Sequence, residues 1–226
     1  MMKHCSYIYA VSFWVVFLCL FPSFLSAQSR PVRCEYEMRM EIPKGILEAQ
    51  PDPAVREIMR KQYEETTRTY VLACADGKYL FHCIREQEGV REVGAVRTLY
   101  EDASRDLAVS VEKVERLYLI EDTIPRHRWT ITQESREIAG YPCTKAVTDG
   151  AVEAWFTFDI PFSFGPLGYN GLPGLVVSLK RGPNVYTVSN LTFPDSLQIE
   201  MPTEGKKITR ERFNRVVEKT LHPFGL

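Results

Sequence analysis

Residues 67–85 read Thr-Arg-Thr-Tyr-Val-Leu-Ala-Cys-Ala-Asp-Gly-Lys-Tyr-Leu-Phe-His-Cys-Ile-Arg. Two runs rich in β-branched and aromatic residues flank Asp76-Gly77, a pair suited to a two-residue hairpin loop because both positions accept positive φ. With that pair at the tip, Cys74 faces Tyr79 and Cys83 faces Tyr70. Upstream, residues 32–42 place an apolar side chain at every even position and a charge at every odd one. A strand half buried and half wetted has this period of two. Downstream, short alternating runs recur around 95–101, 106–112, 115–121, 127–134, 141–149, 152–160, 174–181 and 184–193, parted by Gly, Asp, Pro and Asn. The spacing predicts a mainly β (β-rich α+β) chain with a curved antiparallel sheet or barrel-like body. One helix is expected after the first strand, where Asp52 can cap, Pro53 suits the first turn, and Val55, Ile58, Met59, Gln62 and Tyr63 share a stripe. A second, over 209–221, gathers Phe213, Val216, Val217 and Leu221 on one face, with basic residues elsewhere.

The N-terminus sets the compartment. Lys3 and His4 precede an apolar run over 7–21, then Pro22, Ser23 and the small pair Ser26-Ala27. That order predicts a secretory signal peptide cleaved near Ala27, leaving one domain over 28–226. The run falls short of the ~20 apolar residues of a membrane span. Cys19 lacks the small residues expected ahead of a lipidated cysteine. The formal charge of −1 argues against nucleic acid as a partner, since phosphate neutralisation needs a surplus of cations. A basic run, Arg126-His127-Arg128, exists, but acidic residues surround it. Membrane contact after cleavage is not expected.

Six cysteines are present, and Cys5 and Cys19 leave with the signal. The remaining four, Cys34, Cys74, Cys83 and Cys143, are disulfide candidates in an exported chain. The hairpin register sets Cys74 and Cys83 four strand positions apart, roughly 13 Å, against the ~5.5 Å Cα separation of a bridge. A Cys74–Cys83 bridge is thereby disfavoured, which leaves Cys34 to pair with one of these two and Cys143 with the other.

Residues 159–175 form the most unusual stretch: Asp-Ile-Pro-Phe-Ser-Phe-Gly-Pro-Leu-Gly-Tyr-Asn-Gly-Leu-Pro-Gly-Leu, with four glycines and three prolines. Pro173-Gly174 suits the centre of a type II turn, with positive φ at the glycine, and Asn170-Gly171 suits another tight turn. A loop this long is either functional or packed on itself. Here the chain resembles the GLPGLI proteins of the Bacteroidetes, whose hexapeptide appears as Gly171-Leu172-Pro173-Gly174-Leu175-Val176. In order upstream stand Trp129-Thr130-Ile131, Ile138 to Ala146, Glu153 to Thr157, Asp159-Ile160-Pro161 and Gly165-Pro166. The resemblance implies an exported protein of uncharacterised function, often encoded near outer-membrane uptake systems. The strand pattern is also similar to the bowl-shaped domain ahead of some bacterial glycan-releasing enzymes, an analogy of fold alone.

Catalytic signatures are weak. No Gly-x-Ser-x-Gly elbow occurs, and His82-Cys83 reads as two opposite faces of a strand and not a metal or thiol pair. Glu134 with Glu137, and Glu101 with Asp102, read as solvated strand ends. Asp159 reads first as a turn cap. No catalytic residue, metal or cofactor is expected. The expectation is a non-catalytic envelope module that binds a ligand, or a component of an uptake system, through Trp129, Trp155, Asp159, Phe162, Phe164, Tyr169, Gly171, Leu172, Pro173, Gly174 and Leu175. A secreted hydrolase of glycans or peptides with strand-end carboxylates, and a purely structural envelope protein, are the alternatives.

Overall fold

A computed structural model describes residues 30–43, 45–86 and 95–221. The expected signal segment 1–27, with its two cysteines, and His222 lie outside the described residues. Within them, one sheet contains β1 (Val32–Met40), β2 (Thr67–Ala75), β3 (Lys78–Glu86), β4 (Ala95–Asp102), β5 (Leu107–Lys113), β6 (Leu117–Asp122), β7 (Trp129–Ile138), β8 (Tyr141–Thr148), β9 (Glu153–Thr157), β10 (Leu175–Arg181), β11 (Asn184–Thr192) and β12 (Lys206–Ile208). Their order is β12-β6-β5-β4-β3-β2-β1-β11-β10-β9-β8-β7, antiparallel throughout except for the short β12 beside β6.

The connectivity forces this sheet to curl. β6 and β7 stand ten places apart in the order, yet only residues 123–128 join them. Seven residue steps reach at most ~25 Å, whereas ten strand spacings in a flat sheet would span ~48 Å. The sheet bends to bring its flanks together but does not close: β12 and β7 remain edges. Of the two forms expected, the curved open sheet is the one adopted.

The hairpin behaves as its turn chemistry dictates. Asp76 and Gly77 both take positive φ, 50° and 72°, and Cys74 pairs with Tyr79, Tyr70 with Cys83. Helix α1 (Ile46–Ala49) is a single turn, and α2 (Pro53–Glu65) starts where Asp52 accepts a 2.8 Å hydrogen bond from the Ala54 N–H. The stripe of α2 does not join the core: none of its residues is buried, and Ile58 is 66% exposed. Helix α3 (Arg210–Leu221) buries Phe213 edge-on against Tyr118 of β6.

The expected disulfides are not formed. Cys34, Cys74 and Cys143 are buried free thiols, and Cys83 is half buried. Strand register explains this: Cys34 pairs with Leu72 and Val32 with Cys74, so Cys34 and Cys74 are diagonal, not opposed. Diagonal positions sit ~7–8 Å apart, outside comfortable bridge geometry. Cys83 on β3 and Cys143 on β8 occupy strands that are not neighbours. Burial pushes the Cys34 thiol up to about 12 and the Cys143 thiol up to about 11.

Candidate functional site

The loop 158–174, between β9 and β10, lies inside the curl, touching strands from both of its flanks. The Tyr79 hydroxyl, on β3, donates to the Gly165 carbonyl at 2.8 Å and accepts from the Gly168 N–H at 3.2 Å. Tyr36, on β1, donates to the Val176 carbonyl at 2.6 Å. Within the loop, the Gly171 N–H reaches the Ser163 hydroxyl at 3.0 Å, while Leu175 and Val176 donate to Ile160 and Phe164. A buried backbone must find such partners or lose the free energy of desolvation. Pro166–Gly168 makes one 3-10 turn, in which Leu167 takes φ 58°.

The type II turn expected at Pro173-Gly174 does not form. Gly174 is outside the positive-φ region, which Gly171 occupies instead at 91°. Gly174 is needed for a different reason: a Cβ there would lie 1.9 Å from the Thr157 carbonyl oxygen. Backbone passes against backbone, and no side chain fits.

The aromatic and loop residues expected to bind therefore divide. Leu172, Gly174 and Leu175 are buried. Phe162 and Phe164 are half buried against the core, with Phe164 stacked on Tyr79 at 5.6 Å. Trp155 is 6% exposed, its indole N–H held by Glu153 and its ring covered by the Arg136 guanidinium at 3.9 Å. Little of its ring is open to a ligand. Asp159, Gly171 and Pro173 are exposed, and the cap expected of Asp159 falls to Thr157, whose hydroxyl accepts from the Asp159 N–H.

Two of the expected residues, Tyr169 and Trp129, come together at the rim with a third ring that the sequence reading passed over. His127 stacks on Tyr169 at a centroid distance of 4.4 Å and 27°, and Trp129 stands edge-on to Tyr169 at 6.1 Å. Loop carbonyls hold them: Trp129 Nε1 donates to Asn170 at 2.8 Å, and His127 Nε2 lies 3.2 Å from the Gly168 oxygen. Burial lowers the His127 pKa, which keeps the stacked imidazole neutral near pH 7. His127 and Tyr169 line a cleft of about 500 Å³ together with Thr148, Asp149, Gly150 and Val152 and with Arg126, Arg128 and Arg181.

Glu101 and Asp102 are not solvated strand ends. Asp102 is 5% exposed and accepts from both the backbone N–H and the hydroxyl of Ser104, bonds that lower its pKa. Glu101 is 2% exposed, opposite Tyr79, under Gly168 of the loop. Asn170 Nδ2 approaches its Oε2 at 3.4 Å, while its Oε1 is buried with no hydrogen-bond partner among the described residues. Burial raises this carboxyl to about 7. The sequence signal was faint: Glu101 alternates in phase with Leu99, which faces the core, so the period of two pointed it inward.

The model of a family described as "Protein of unknown function (Porph_ging)" matches residues 147–178. The match begins at the end of β8 and takes in β9, the whole loop and the start of β10. No curated protein matches the chain. Solved structures of PNGF-II in the P21 and C2 space groups are similar in fold, with TM-scores of 0.54 and 0.55 at 15% identity. They cover 84% of this chain and 34% and 33% of theirs, so the chain spans about a third of the length of these neighbours.

Proposed function

We propose that this chain is an exported, non-catalytic binding module of the cell envelope that presents Tyr169, His127 and Trp129 to a ligand of an outer-membrane uptake system. Kinship with the GLPGLI proteins belongs to the same reading. It is supported by the part the hexapeptide plays: Leu172, Gly174, Leu175 and Val176 seat the loop, and the seated loop sets the rings. The observation that carries the proposal is the stacked His127–Tyr169 pair, fixed by loop carbonyls at the mouth of a cleft. Rings that are immobilised before a ligand arrives lose little entropy on binding. The non-catalytic part is supported by Glu101, whose carboxyl is sealed beneath the loop and cannot reach a substrate without unseating it.

Titration of the purified protein with a panel of neutral and acidic oligosaccharides, read by tryptophan emission, tests this. A saturable change that disappears in Trp129→Phe is expected. A flat response to every member, with no thermal shift, would leave the structural-protein reading in its place. New reducing ends in the same samples would instead favour the hydrolase.

A further inference from the structure

The cleft beside the rings has an unbalanced charge. Arg126 and Arg128 come from the segment joining β6 to β7, and Arg181 from the end of β10. Asp149 is the one carboxylate among the residues lining the cleft. The acidic residues close to Arg126 in sequence are engaged elsewhere: Glu121 pairs with Lys207 at 3.2 Å, and Asp122 lies 3.7 Å from the Arg210 guanidinium. Downstream, Glu134 pairs with Lys145 at 3.2 Å. Among the described residues, none of the three rim arginines has an ion-pair partner. Cations left unpaired around one concavity, while nearby acids pair with more distant bases, raise the local concentration of anions.

Guanidinium groups recognise oxyanions through paired N–H donors. The wall beside them is a neutral stack of rings, suited to the flat face of a small cyclic molecule. A volume of about 500 Å³ admits a compact ligand and is open and polar, which disfavours an acyl chain. We infer that the cleft takes an acidic sugar, with its ring against Tyr169 and His127 and its carboxylate or sulfate among Arg126, Arg128 and Arg181. This rests on the binding reading above and adds the chemical class.

Calorimetry with trigalacturonic acid and with uncharged galactotriose tests it, because the two differ in charge at each sugar. The acid should bind, its affinity falling as sodium chloride rises, and the neutral trimer should bind at least tenfold more weakly. Arg126→Gln, Arg128→Gln and Arg181→Gln should each weaken the acid by roughly tenfold, the scale of one charged hydrogen bond. Arg212→Gln, which removes the same charge from α3, should leave it unchanged. Sulfated galactose binding in place of the uronate would keep the anion site and change the oxyanion. Equal affinity for acid and neutral trimers, with the arginine variants silent, would overturn the inference while keeping the binding reading. Failure of every sugar, with Trp129 emission unmoved, would overturn both.

Discussion

Replacement of Glu101 by Gln should make the protein less sensitive to alkali. The carboxyl titrates near 4.5 when solvated and at about 7 beneath the loop. Between those values the unfolded chain has released the proton and the folded chain still holds it. Stability then falls as pH rises, because the folded state binds more protons. The contribution is intact below the unfolded pKa and is lost by the time pH passes the folded one. A gap of about 2.5 units, at 1.36 kcal/mol each, makes the loss about 3 kcal/mol between pH 4 and 8. His82 and His127 act in the opposite sense. Burial lowers both of their pKa values, so they charge more readily in the unfolded chain, and their effect favours the folded state as pH rises through the ordinary histidine range. The comparison of wild type with Glu101→Gln cancels the histidines. Urea unfolding at one-unit pH intervals should show the two proteins diverging by about 3 kcal/mol from pH 4 to 8, with the variant the more stable at pH 8. Parallel curves would refute the argument and mean that Glu101 is ionised in the fold, with its charge met by a group other than Asn170.

Three further outcomes are expected. Gly174→Ala should destabilise the chain by more than ~4 kcal/mol, seen as lost soluble yield or lost cooperative unfolding, since a Cβ would meet the Thr157 carbonyl. Tyr79→Phe removes both bonds that hold Gly165 and Gly168 and should cost ~1–3 kcal/mol in urea titration, most of it from the two loop groups left without a partner. Iodoacetamide at pH 8, followed by peptide mass spectrometry, should label half-buried Cys83 first. Cys34, Cys74 and Cys143 should react only after unfolding, because burial raises their pKa values and blocks access.

What the sequence disclosed followed how far each signal reaches. The hairpin register was readable because Asp76-Gly77 and the alternation around it are local, and positive φ at both turn residues allows one pairing. Pro173-Gly174 was misread because glycine next to proline serves two ends, a turn and a close approach, and the Thr157 carbonyl that decides between them belongs to another strand end. The capped start of α2 was equally local, whereas the fate of its apolar stripe depended on where the sheet curved. Glu101 was placed in water because its cover, Gly168 and Asn170, comes nearly seventy residues later. The rim arginines were set aside for a similar reason. Their neighbours Glu121 and Asp122 look like partners in sequence, and only the packing of β12 and α3 reveals Lys207 and Arg210 as the groups those acids meet.

The curl also explains why a loop full of aromatics offers so little aromatic surface. An open sheet bent this far has a concave side that must be filled, and here the filler is backbone with few regular partners of its own. Each buried carbonyl and N–H of that filler needs a donor or acceptor from the sheet. Tyrosine and tryptophan meet both demands, because one side chain brings apolar area together with a polar tip. Tyr36, Tyr79 and Trp129 do this for Val176, Gly165, Gly168 and Asn170. Aromatics that face the filler are consumed by it, as the stacking of Tyr79 on Phe164 illustrates. Apart from Phe158 at the start of the loop, 59% exposed, a ring is left over at Tyr169, and there the short segment 123–128 crosses between the two flanks of the sheet. That crossing carries His127 between two arginines. The constraint that closes the flanks toward one another thus sets a ring and two cations beside the last ring of the loop.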